Sequence, residues 1–593
     1  MFLQILRLSS QRITPQARTM TMGWENYERE LSSLNLAVKD REFLKKVFDF
    51  AAQIHAGEKR LSGEDYLTHS AAVSLKLAKL KMDRATIAAG LLHDVAETTP
   101  TSLAEIRKKF GEEIAFLVDA VTKVEKVKAS GTDRALESVR KMFMAVAEDI
   151  RVVIIKLADR LHNMETADWL APEKRERIAG ETLSLYAPLA ERLGMWNVKA
   201  QLEDLSMKYL YPQEYERISS EVKKIAPERE RYLKKIAPQV EAELLKENIR
   251  PLELSYRAKH LYSIWQKLKR YDGDWTHLAD LIALRIIVPD IKDCYAAVGI
   301  IHKLWKPVPG KFKDYIALPK PNGYQSLHTS VFTKARTMVE FQIRTPQMHR
   351  EAEAGIAAHW AWSEAGKPKE GLKILGQKFN WIRQLHDWHK EFKKERSSSE
   401  ELLEAFKIDF FQDRIFVLTP KGDVIDLPKG ATPLDFAYHI HSEIGNRASG
   451  AKVDGRMVAF ERELQSGEVV EIITQKNKRP SPEWLSLVKT NLAKNRIRRA
   501  LRISPKRTFL EPEEKLVEVK IYGKSRVGFI KDITSIFAKN RINIQTLISA
   551  RSGNEEAPIR VRFIPKNKAE IEKIKPKLEK IAGVKKVTTE VRS

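Results

Sequence analysis

The spacing of apolar residues changes along this chain, and that change is the strongest constraint on its fold. From about residue 25 to 210, apolar residues recur three and four positions apart, which predicts helices throughout. From about 240 to 360, helical segments alternate with apolar strands, which predicts an α/β domain. A chain of 593 residues with this patterning is expected to form about three to five domains.

The C-terminal part has a third pattern. Short strands dominate residues 409–474, residues 476–507 are polar and densely basic, and residues from 516 onward alternate strand, helix and strand. Within the helical part, IRVVIIKLADRLHN is rich in β-branched residues and also fits a strand. Its helical neighbours favour a buried helix.

Charge and cysteine content limit the class of protein. The net charge of +25 indicates polyanionic partners, namely phosphorylated small molecules, nucleic acid or an anionic membrane surface, although a merely soluble basic protein has the same property. Cys294 is the one cysteine, so the chain itself forms no disulfide or cysteine-rich zinc site, and a reducing cytoplasm is expected. Its apolar runs are shorter than the roughly 20 residues of a membrane helix, so no membrane partner is expected.

The first 22 residues contain arginines and no acid before Glu25. This composition faintly resembles an organellar targeting segment. A disordered start, or a start codon assigned too early, is the preferred interpretation.

Four residues of the helical part form a candidate metal site: His55, His93, Asp94 and Asp159. An adjacent His-Asp pair inside an apolar helix is unfavourable unless the aspartate is compensated, and a divalent cation compensates it. Mixed nitrogen and oxygen ligands suit Mn²⁺, Fe²⁺ or Zn²⁺, which support hydrolytic chemistry. Taken singly, each residue also fits an ordinary capped or solvated polar position.

The α/β part lacks the glycine-rich phosphate loops GxxxxGK[ST] and GxGxxG. Basic residues are the alternative phosphate ligands: Lys311, Lys313 and Lys320 lie in one loop, and Arg257 and Lys259 are predicted on the helix before the first strand. A solvated basic loop is the competing interpretation.

The strand VEFQIR argues for a site. Its period of two places Val339, Phe341 and Ile343 toward a core, and Glu340, Gln342 and Arg344 on an opposite, open polar face. Asp280 opens the neighbouring strand, and Asp280 with Glu340 would suit Mg²⁺ bound between nucleotide phosphates.

Tyr324 follows an Asn-Gly turn in PNGYQSLHT and is predicted to be exposed. An exposed tyrosine there would stack on a purine. Simple packing of the ring explains the residue equally well.

Longer phrases of the helical part resemble the hydrolase domain of RelA/SpoT-type stringent-response enzymes. They include HAGEKRLSGEDYLTH, LLHDVAET and DIRVVIIKLADRLHNMET. The resemblance implies removal of the 3′-pyrophosphate of ppGpp and pppGpp with Mn²⁺ bound by the four residues above. It also implies that Arg60 faces the nucleotide, Asn163 lines the pocket and Glu97 activates or orients the attacking water.

The family shows Glu-Asp after LLHDV-x, where this chain has Glu97-Thr98. Threonine cannot act as a carboxylate base. Metal binding is therefore expected to survive this change, whereas the rate of hydrolysis is in question.

The α/β part resembles the (p)ppGpp synthetase domain almost phrase by phrase, as in DCYAAVGIIHKLWKPVPGKFKDYIALPKPNGYQSLHT and VEFQIRTPQMHREAEAGIAAHW. The implied reaction moves the β,γ-pyrophosphate of ATP to the 3′-hydroxyl of GDP or GTP. The resemblance implies that Arg257 and Lys259 contact ATP, that Asp280 binds Mg²⁺ and that Glu340 is a second metal ligand or the base for the 3′-hydroxyl. It also implies that Tyr324 stacks on guanine, that Lys313 and Lys320 contact phosphates, and that the acceptor pocket is lined by Asn322, Gln325 and His328.

One loop separates two subtypes of the family. Bifunctional members have a basic Arg-x-Lys-Asp, and this chain has Lys311-Phe312-Lys313-Asp314, which keeps the charge but loses the planar guanidinium. The loop places the chain in the bifunctional class.

The C-terminal half resembles a TGS domain followed by an ACT domain. The family's partners there are the ribosome and uncharged tRNA, which suit the basic run after TGS. Small effectors bind some ACT domains near the position of Gly528. The helical section after TGS is shortened, and with one cysteine a Cys-based finger cannot form.

These observations predict a multidomain fold. Its parts are an all-α HD-type hydrolase domain (25–210), an α/β nucleotidyltransferase-like synthetase domain (211–362), a helical linker (363–408), a β-grasp TGS domain (409–474), a short basic helical segment (475–510) and an α+β ACT domain (515–593). The first hypothesis is a bifunctional alarmone enzyme. A synthetase with an impaired hydrolase and a catalytically weak RNA- or ribosome-binding regulator are the alternatives.

Overall fold

The structure is a computed structural model, and it divides into two units, residues 1–501 and 502–593. It describes residues 22–60, 62–125, 141, 145, 149–275, 281–320, 322–333, 337–358, 414–501, 516–523, 526, 528–540, 542, 544–548, 559–563 and 568–592. The predicted linker helix, residues 502–515 and Asp280 lie outside the described residues.

The first part of the chain is helical, as predicted. Its elements are α1 (Trp24–Ser33), α2 (Val38–Ile54), α3 (Tyr66–Lys79), α4 (Arg84–Leu92), α5 (Val95–Thr98), α6 (Leu103–Phe110), α7 (Glu112–Glu125), α8 (Ile150–Glu165), α9 (Pro172–Glu181), a π-helical turn (Thr182–Tyr186), α10 (Ala187–Arg192), α11 (Trp196–Leu210) and α12 (Pro212–Lys246). One apolar cluster forms the core of helices α1 to α11.

The ambiguous segment 150–165 is a buried helix, α8. Asp149 caps it by accepting a hydrogen bond from Arg151 N at 2.9 Å. Every residue from 150 to 159 is buried, and α8 packs against α3, α7 and α11. Because neighbours surround it on all sides, packing overrides the strand preference of its β-branched residues.

An α/β domain follows. Its elements are β1 (Glu253–Ala258), α13 (Leu261–Arg270), β2 (Ile282–Ile287), α14 (Ile291–Leu304), β3 (Lys306–Pro307), β4 (Lys313–Asp314), β5 (Leu327–Phe332), β6 (Met338–Arg344) and α15 (Pro346–Ala354). The strand order is β1-β2-β6-β5-β3, with β4 paired to β5. Strands β2 and β6 are parallel, and β5 and β6 are antiparallel neighbours.

The prediction that Arg257 and Lys259 lie on a helix is wrong. Arg257 belongs to the edge strand β1, where it pairs with Ala283 of β2, and Lys259 follows the strand with its N–H on Leu281 O at 3.0 Å. An edge strand with one neighbour carries little apolar periodicity, so only the backbone pairing with β2 reveals it.

The two faces of β6 are divided as predicted, but the polar face is not open. Val339, Phe341 and Ile343 lie in the core. On the other face, Gln342 is 6% exposed and Arg344 is 1% exposed. Arginine and glutamine are buried here because neighbouring polar side chains cover them, which sequence alternation cannot show.

The TGS region is a β-rich module of β7 (Arg414–Leu418), β8 (Val424–Pro428), α16 (Pro433–Ile440), α17 (Ser442–Asn446), β9 (Ala448–Val453), β10 (Arg456–Val458) and β11 (Val470–Thr474), followed by α18 (Trp484–Leu487) and α19 (Asn491–Ala500). Asp435 attaches the basic segment to it. This buried carboxylate completes a capping box with Thr432 and accepts hydrogen bonds from Lys489 N and Thr490 N at 2.9 and 2.8 Å.

A buried ion triad joins the β7–β8 hairpin to the helical domain. Asp426 Oδ2 lies 2.7 Å from Arg192 Nη1 at the end of α10, and Asp426 Oδ1 lies 2.6 Å from Arg414 Nε. Burial raises the pKa of Asp426, but the two guanidinium groups outweigh it and lower that pKa to about 2.

We expect Asp426→Asn to weaken this junction by about 3–5 kcal/mol, because two buried guanidinium groups lose their counter-charge. Thermal unfolding at pH 7 should show a midpoint several degrees lower. The wild-type contribution is present above the ordinary pKa of 3.8 and is lost as the pH falls toward 2. Asp423→Asn, an exposed carboxylate of the same hairpin, is the matched control, and an equal effect of both changes would contradict the assignment.

The second unit is a small α+β module. Its elements are β12 (Leu516–Gly523), α20 (Phe529–Lys539), β13 (Ile544–Ile548), β14 (Ile559–Phe563), α21 (Lys568–Glu579) and β15 (Val584–Arg592), with antiparallel strand order β13-β14-β12-β15. Gly528 precedes α20 with a φ of 83°, in the left-handed region that favours glycine. In the described part of the chain, no helix is long and apolar enough to cross a membrane.

Candidate active sites

A buried cluster of imidazoles and carboxylates lies where α3, α4 and α8 meet. One ligand atom from each of His69, His93 and Asp159 lies within 4.8 Å of the others. Asp94 joins them, with Oδ1 3.1 Å from His93 Nε2 and Oδ2 3.4 Å from His69 Nε2. The structure therefore brings together three of the four predicted metal ligands and adds His69.

Sequence reasoning missed His69 and its neighbour His162. Their Nδ1 atoms lie 2.7 Å apart, and both rings are buried. A histidine among the buried residues of α3 was the available signal, but a satisfied core histidine has the same appearance.

His55, the fourth predicted ligand, lies at the end of α2 and is not one of the three grouped residues. Its Nδ1 lies 2.8 Å from Glu58 Oε2, and its ring stacks on Tyr66. The Nε2 atoms of His55 and His93 are buried without a hydrogen-bond partner among the described residues. His93 Nε2 lies 3.1 Å from Asp94 Oδ1 and 3.7 Å from Asp159 Oδ1, and a buried imidazole nitrogen beside two carboxylates fits a divalent cation.

The charges in this cluster reinforce one another. Burial alone lowers the pKa of His93, but Asp94 and Asp159 outweigh it and raise that pKa to about 9. Burial raises the pKa of Asp159, yet Lys156 and the two histidines hold it well below its usual range. The carboxylates are therefore ionised, which is the state that binds a metal.

Arg60 and Asn163 lie at this cluster, consistent with their predicted place in the pocket. Asn163 Nδ2 donates to Asp159 Oδ1 at 2.6 Å, and Arg60 Nη2 donates to Asn163 Oδ1 at 2.5 Å. Lys156 Nζ donates to Asp159 Oδ2 at 2.8 Å. Each oxygen of Asp159 is thus oriented by a neighbour, as is usual for metal-ligating carboxylates.

Glu97 and Thr98 lie on α5, the turn that directly follows Asp94. Glu97 is half-buried, whereas Thr98 is exposed and its hydroxyl donates to Asp94 O at 3.0 Å. Thr98 therefore stabilises its own turn and presents no carboxylate.

In the α/β domain, five of the predicted residues form one hydrogen-bonded chain across the polar face of the sheet. Tyr324 Oη lies 2.8 Å from His328 Nε2, and His328 Nδ1 lies 3.3 Å from Glu340 Oε1. Gln342 Nε2 donates to Glu340 Oε1 at 2.9 Å, and Arg257 Nη1 donates to Gln342 Oε1 at 3.3 Å. The imidazole of His328 lies in a poorly solvated place beside a carboxylate. Burial therefore lowers the pKa of His328, and the nearby Glu340 partly opposes that shift.

Tyr324 is 7% exposed, so the structure favours packing of its ring over the exposed position that the sequence left as an equal alternative. The rings of Trp196 and Tyr315 lie edge-on to it at 6.0 and 5.9 Å. Trp196 comes from the helical domain, so a pattern within the loop cannot reveal the contact.

The other predicted acceptor residues border the same loop. Asn322 Nδ2 donates to Glu191 O of the helical domain at 2.9 Å, and Gln325 Nε2 donates to Ile316 O at 3.3 Å. Lys311 and Lys313 are exposed. Lys320 is half-buried, and burial lowers its pKa to about 8.

Arg285 and Arg344 form a second cationic group that sequence reasoning did not assign. Arg285 Nη1 lies 3.1 Å from Glu353 Oε1, and Arg344 Nη2 lies 3.7 Å from the same oxygen. An arginine inside the apolar strand LIALRIIVP was the available signal.

The predicted magnesium pair remains a prediction, because Asp280 lies outside the described residues.

Comparison with known proteins identifies the same modules. Family models for an HD domain (residues 48–196), a region found in RelA / SpoT proteins (256–367), a TGS domain (415–474) and an ACT domain (517–583) match the chain. The helical, α/β, TGS and ACT modules of the predicted fold class are therefore all present.

Curated relatives match most of the chain. A guanosine-3′,5′-bis(diphosphate) 3′-pyrophosphohydrolase of Aquifex aeolicus is 47% identical over 478 residues, which are 80% of this chain and 67% of that protein. A GTP pyrophosphokinase of Myxococcus xanthus is 47% identical over 77% of this chain and 60% of its own length. The bifunctional (p)ppGpp synthase/hydrolase SpoT of Escherichia coli is 44% identical over 77% and 64%.

An HD domain joined to a RelA/SpoT region defines a class of multidomain nucleotide enzymes. This chain belongs to the RelA/SpoT family. The matched part spans about three fifths to two thirds of the length of these relatives.

Proposed function

We propose that this chain is a bifunctional (p)ppGpp synthetase and hydrolase. The hydrogen-bonded chain from Tyr324 through His328, Glu340 and Gln342 to Arg257 carries the synthetase assignment. The names of the relatives, which include both activities, support the pair of functions.

In synthesis, the 3′-oxygen of GDP or GTP attacks the β-phosphorus of ATP, the bond to the α,β-bridging oxygen breaks, and AMP leaves. Arg257, Lys259, Lys313 and Lys320 supply positive charge for the phosphates, and Glu340 receives the hydroxyl proton or helps to hold a metal. Asp280 and Glu340 would hold Mg²⁺. When bound, that ion neutralises charge on the transferred group.

In hydrolysis, His93, Asp94 and Asp159 would hold Mn²⁺, and His69 of the same cluster, rather than the predicted His55, would supply the fourth ligand. When bound, that ion lowers the pKa of a water and polarises the 3′-pyrophosphate. Arg60 and Asn163 border the same pocket and contact the nucleotide, and Glu97 orients the water. The products are GDP or GTP and pyrophosphate.

Two assays on one preparation test the proposal. Purified protein with ATP, GDP and Mg²⁺ should form ppGpp and AMP, and ppGpp with Mn²⁺ should release pyrophosphate. Absence of ppGpp in the first assay would refute the synthetase and leave a ribosome- or RNA-binding regulator, with uncharged tRNA and an ACT effector as candidate partners. Synthesis without hydrolysis would support the second candidate, a synthetase whose HD domain is impaired.

Thr98 is the observation that favours this second candidate. We expect Thr98→Asp to raise hydrolytic turnover by at least about tenfold, because a carboxylate then stands beside Glu97 where general-base assistance contributes about 10²–10⁴-fold. Release of pyrophosphate from ppGpp measures the change. Thr98→Asn has the same shape without the charge and should stay at the wild-type rate; equal gains in both variants would contradict a role for the carboxylate.

A further inference from the structure

The ammonium group of Lys320 lies among three aromatic rings at the candidate acceptor site. Lys320 Nζ is 4.9 Å from the ring centroid of Tyr315, 5.0 Å from that of Trp196 and 5.4 Å from that of Tyr324. Such distances give attractive cation–π interactions, which strengthen where water is excluded. Lys320 therefore lies over the ring of Tyr324 and would compete with a guanine that stacks on the same ring face.

The backbone of the loop supports this arrangement. Lys320 N donates to Tyr324 O at 3.1 Å, and Gly323 N donates to Lys320 O at 2.8 Å. Gly323 has a φ of 77°, so the turn that brings Lys320 back over Tyr324 needs a glycine at this position.

Contacts with the helical domain hold the rings together. Residues 191–196, which run from the end of α10 to the start of α11, lie directly against the acceptor loop and the end of α15. Leu193 O accepts a hydrogen bond from Ile356 N at 2.9 Å. A Cβ on Gly194 would lie 3.1 Å from Asn322 O, and a Cβ on Gly355 would overlap Leu193 O, so the two backbones approach closely only because both residues are glycine.

Trp196 is the one aromatic ring of the three that comes from outside the α/β domain. Its Nε1 is buried and has no hydrogen-bond partner among the described residues. A buried donor without an acceptor has a free-energy cost, so moving this indole to a place where its N–H finds an acceptor would be favoured.

We propose that Trp196 sets the affinity of the synthetase for its guanine nucleotide acceptor. Together with Tyr315 and Tyr324, it encloses the ammonium of Lys320 at the stacking position. Acceptor binding requires Lys320 to leave that position and Trp196 to separate from Tyr324, after which Lys320 is free to contact the phosphates. This role rests on the proposed synthetase function.

The test compares Michaelis constants for the two substrates in the full chain. For Trp196→Leu, we expect the KM for GDP to fall about three- to tenfold and the KM for ATP to stay within about twofold. A fall of this size is expected when one cation–π contact is removed from the arrangement in which the three rings enclose Lys320. Trp196→Phe keeps a smaller ring and should give an intermediate KM for GDP. An unchanged or higher KM for GDP in Trp196→Leu would overturn the proposal.

A second measurement does not depend on how well the leucine variant folds. Titration of GDP should change the indole fluorescence of the wild type by more than that of Trp196→Phe, because only the wild type has an indole that leaves Tyr324. Equal changes would also overturn the proposal. Formation of ppGpp by the wild type reports separately on the proposed function, so the two failures are distinguishable.

Discussion

Glu340→Gln is expected to reduce the formation of ppGpp from ATP and GDP by about 10²–10⁴-fold. Glutamine keeps the size of the side chain but cannot accept a proton or neutralise a metal. Glu340 also anchors the chain of hydrogen bonds, with His328 at 3.3 Å and Gln342 at 2.9 Å from its Oε1. Initial rates of AMP release in the presence of GDP measure the loss.

The same preparation provides a control for folding. Hydrolysis of ppGpp by Glu340→Gln should remain within about twofold of the wild-type rate. The candidate hydrolase residues lie in the helical domain, whose apolar core is separate from that of the α/β domain. Glu351→Gln, a half-buried carboxylate on α15 that accepts a hydrogen bond from Gln347, is the matched variant and should leave synthesis unchanged. Retention of more than a tenth of wild-type synthesis in Glu340→Gln would contradict a catalytic role.

Asp159→Asn is expected to abolish hydrolysis and to weaken Mn²⁺ binding by at least about a hundredfold. Removal of an outer partner of a metal ligand costs 10–100-fold, and removal of a ligand itself costs at least as much. Thermal stabilisation by added Mn²⁺ measures binding without reference to turnover. Chelation of the metal from the wild type should have the same effect on hydrolysis.

The change also leaves the buried ammonium of Lys156 without its carboxylate, so it is expected to lower stability. The double variant Asp159→Asn/Lys156→Met also removes the buried ammonium and should recover stability but not Mn²⁺ binding. Asp119→Asn, a half-buried carboxylate paired with the exposed Lys123, should change neither. Wild-type Mn²⁺ stabilisation in Asp159→Asn would rule out Asp159 as a ligand.

Local patterns predicted a large part of this molecule. Helical spacing predicted α1 to α11, and period-two spacing predicted which side chains of β6 enter the core. Those patterns work because each element buries one face, and the sequence records that face directly. The adjacent His-Asp pair likewise pointed to a site that includes His93, Asp94 and Asp159, whose ligand atoms the fold brings close together.

Contacts between distant segments were not predictable in the same way. His69 enters the cluster because α3 packs against α8. The contacting residues His69 and His162 are 93 positions apart in the sequence. Strand β1 exists because its backbone pairs with β2, and its polar sequence resembles the start of a helix. Tyr324 is buried by Trp196 of another domain, whereas its own turn predicts exposure.

The sequence by itself determined the order of the modules, the helices and strands within them, and the residue types that bind phosphates and metals. These properties follow from local spacing and from the chemistry of single side chains. Tertiary structure alone decided which charges share a site, which polar faces are closed and which ring covers Tyr324. Those outcomes depend on the packing of segments that are far apart in the chain, and no local pattern encodes that packing.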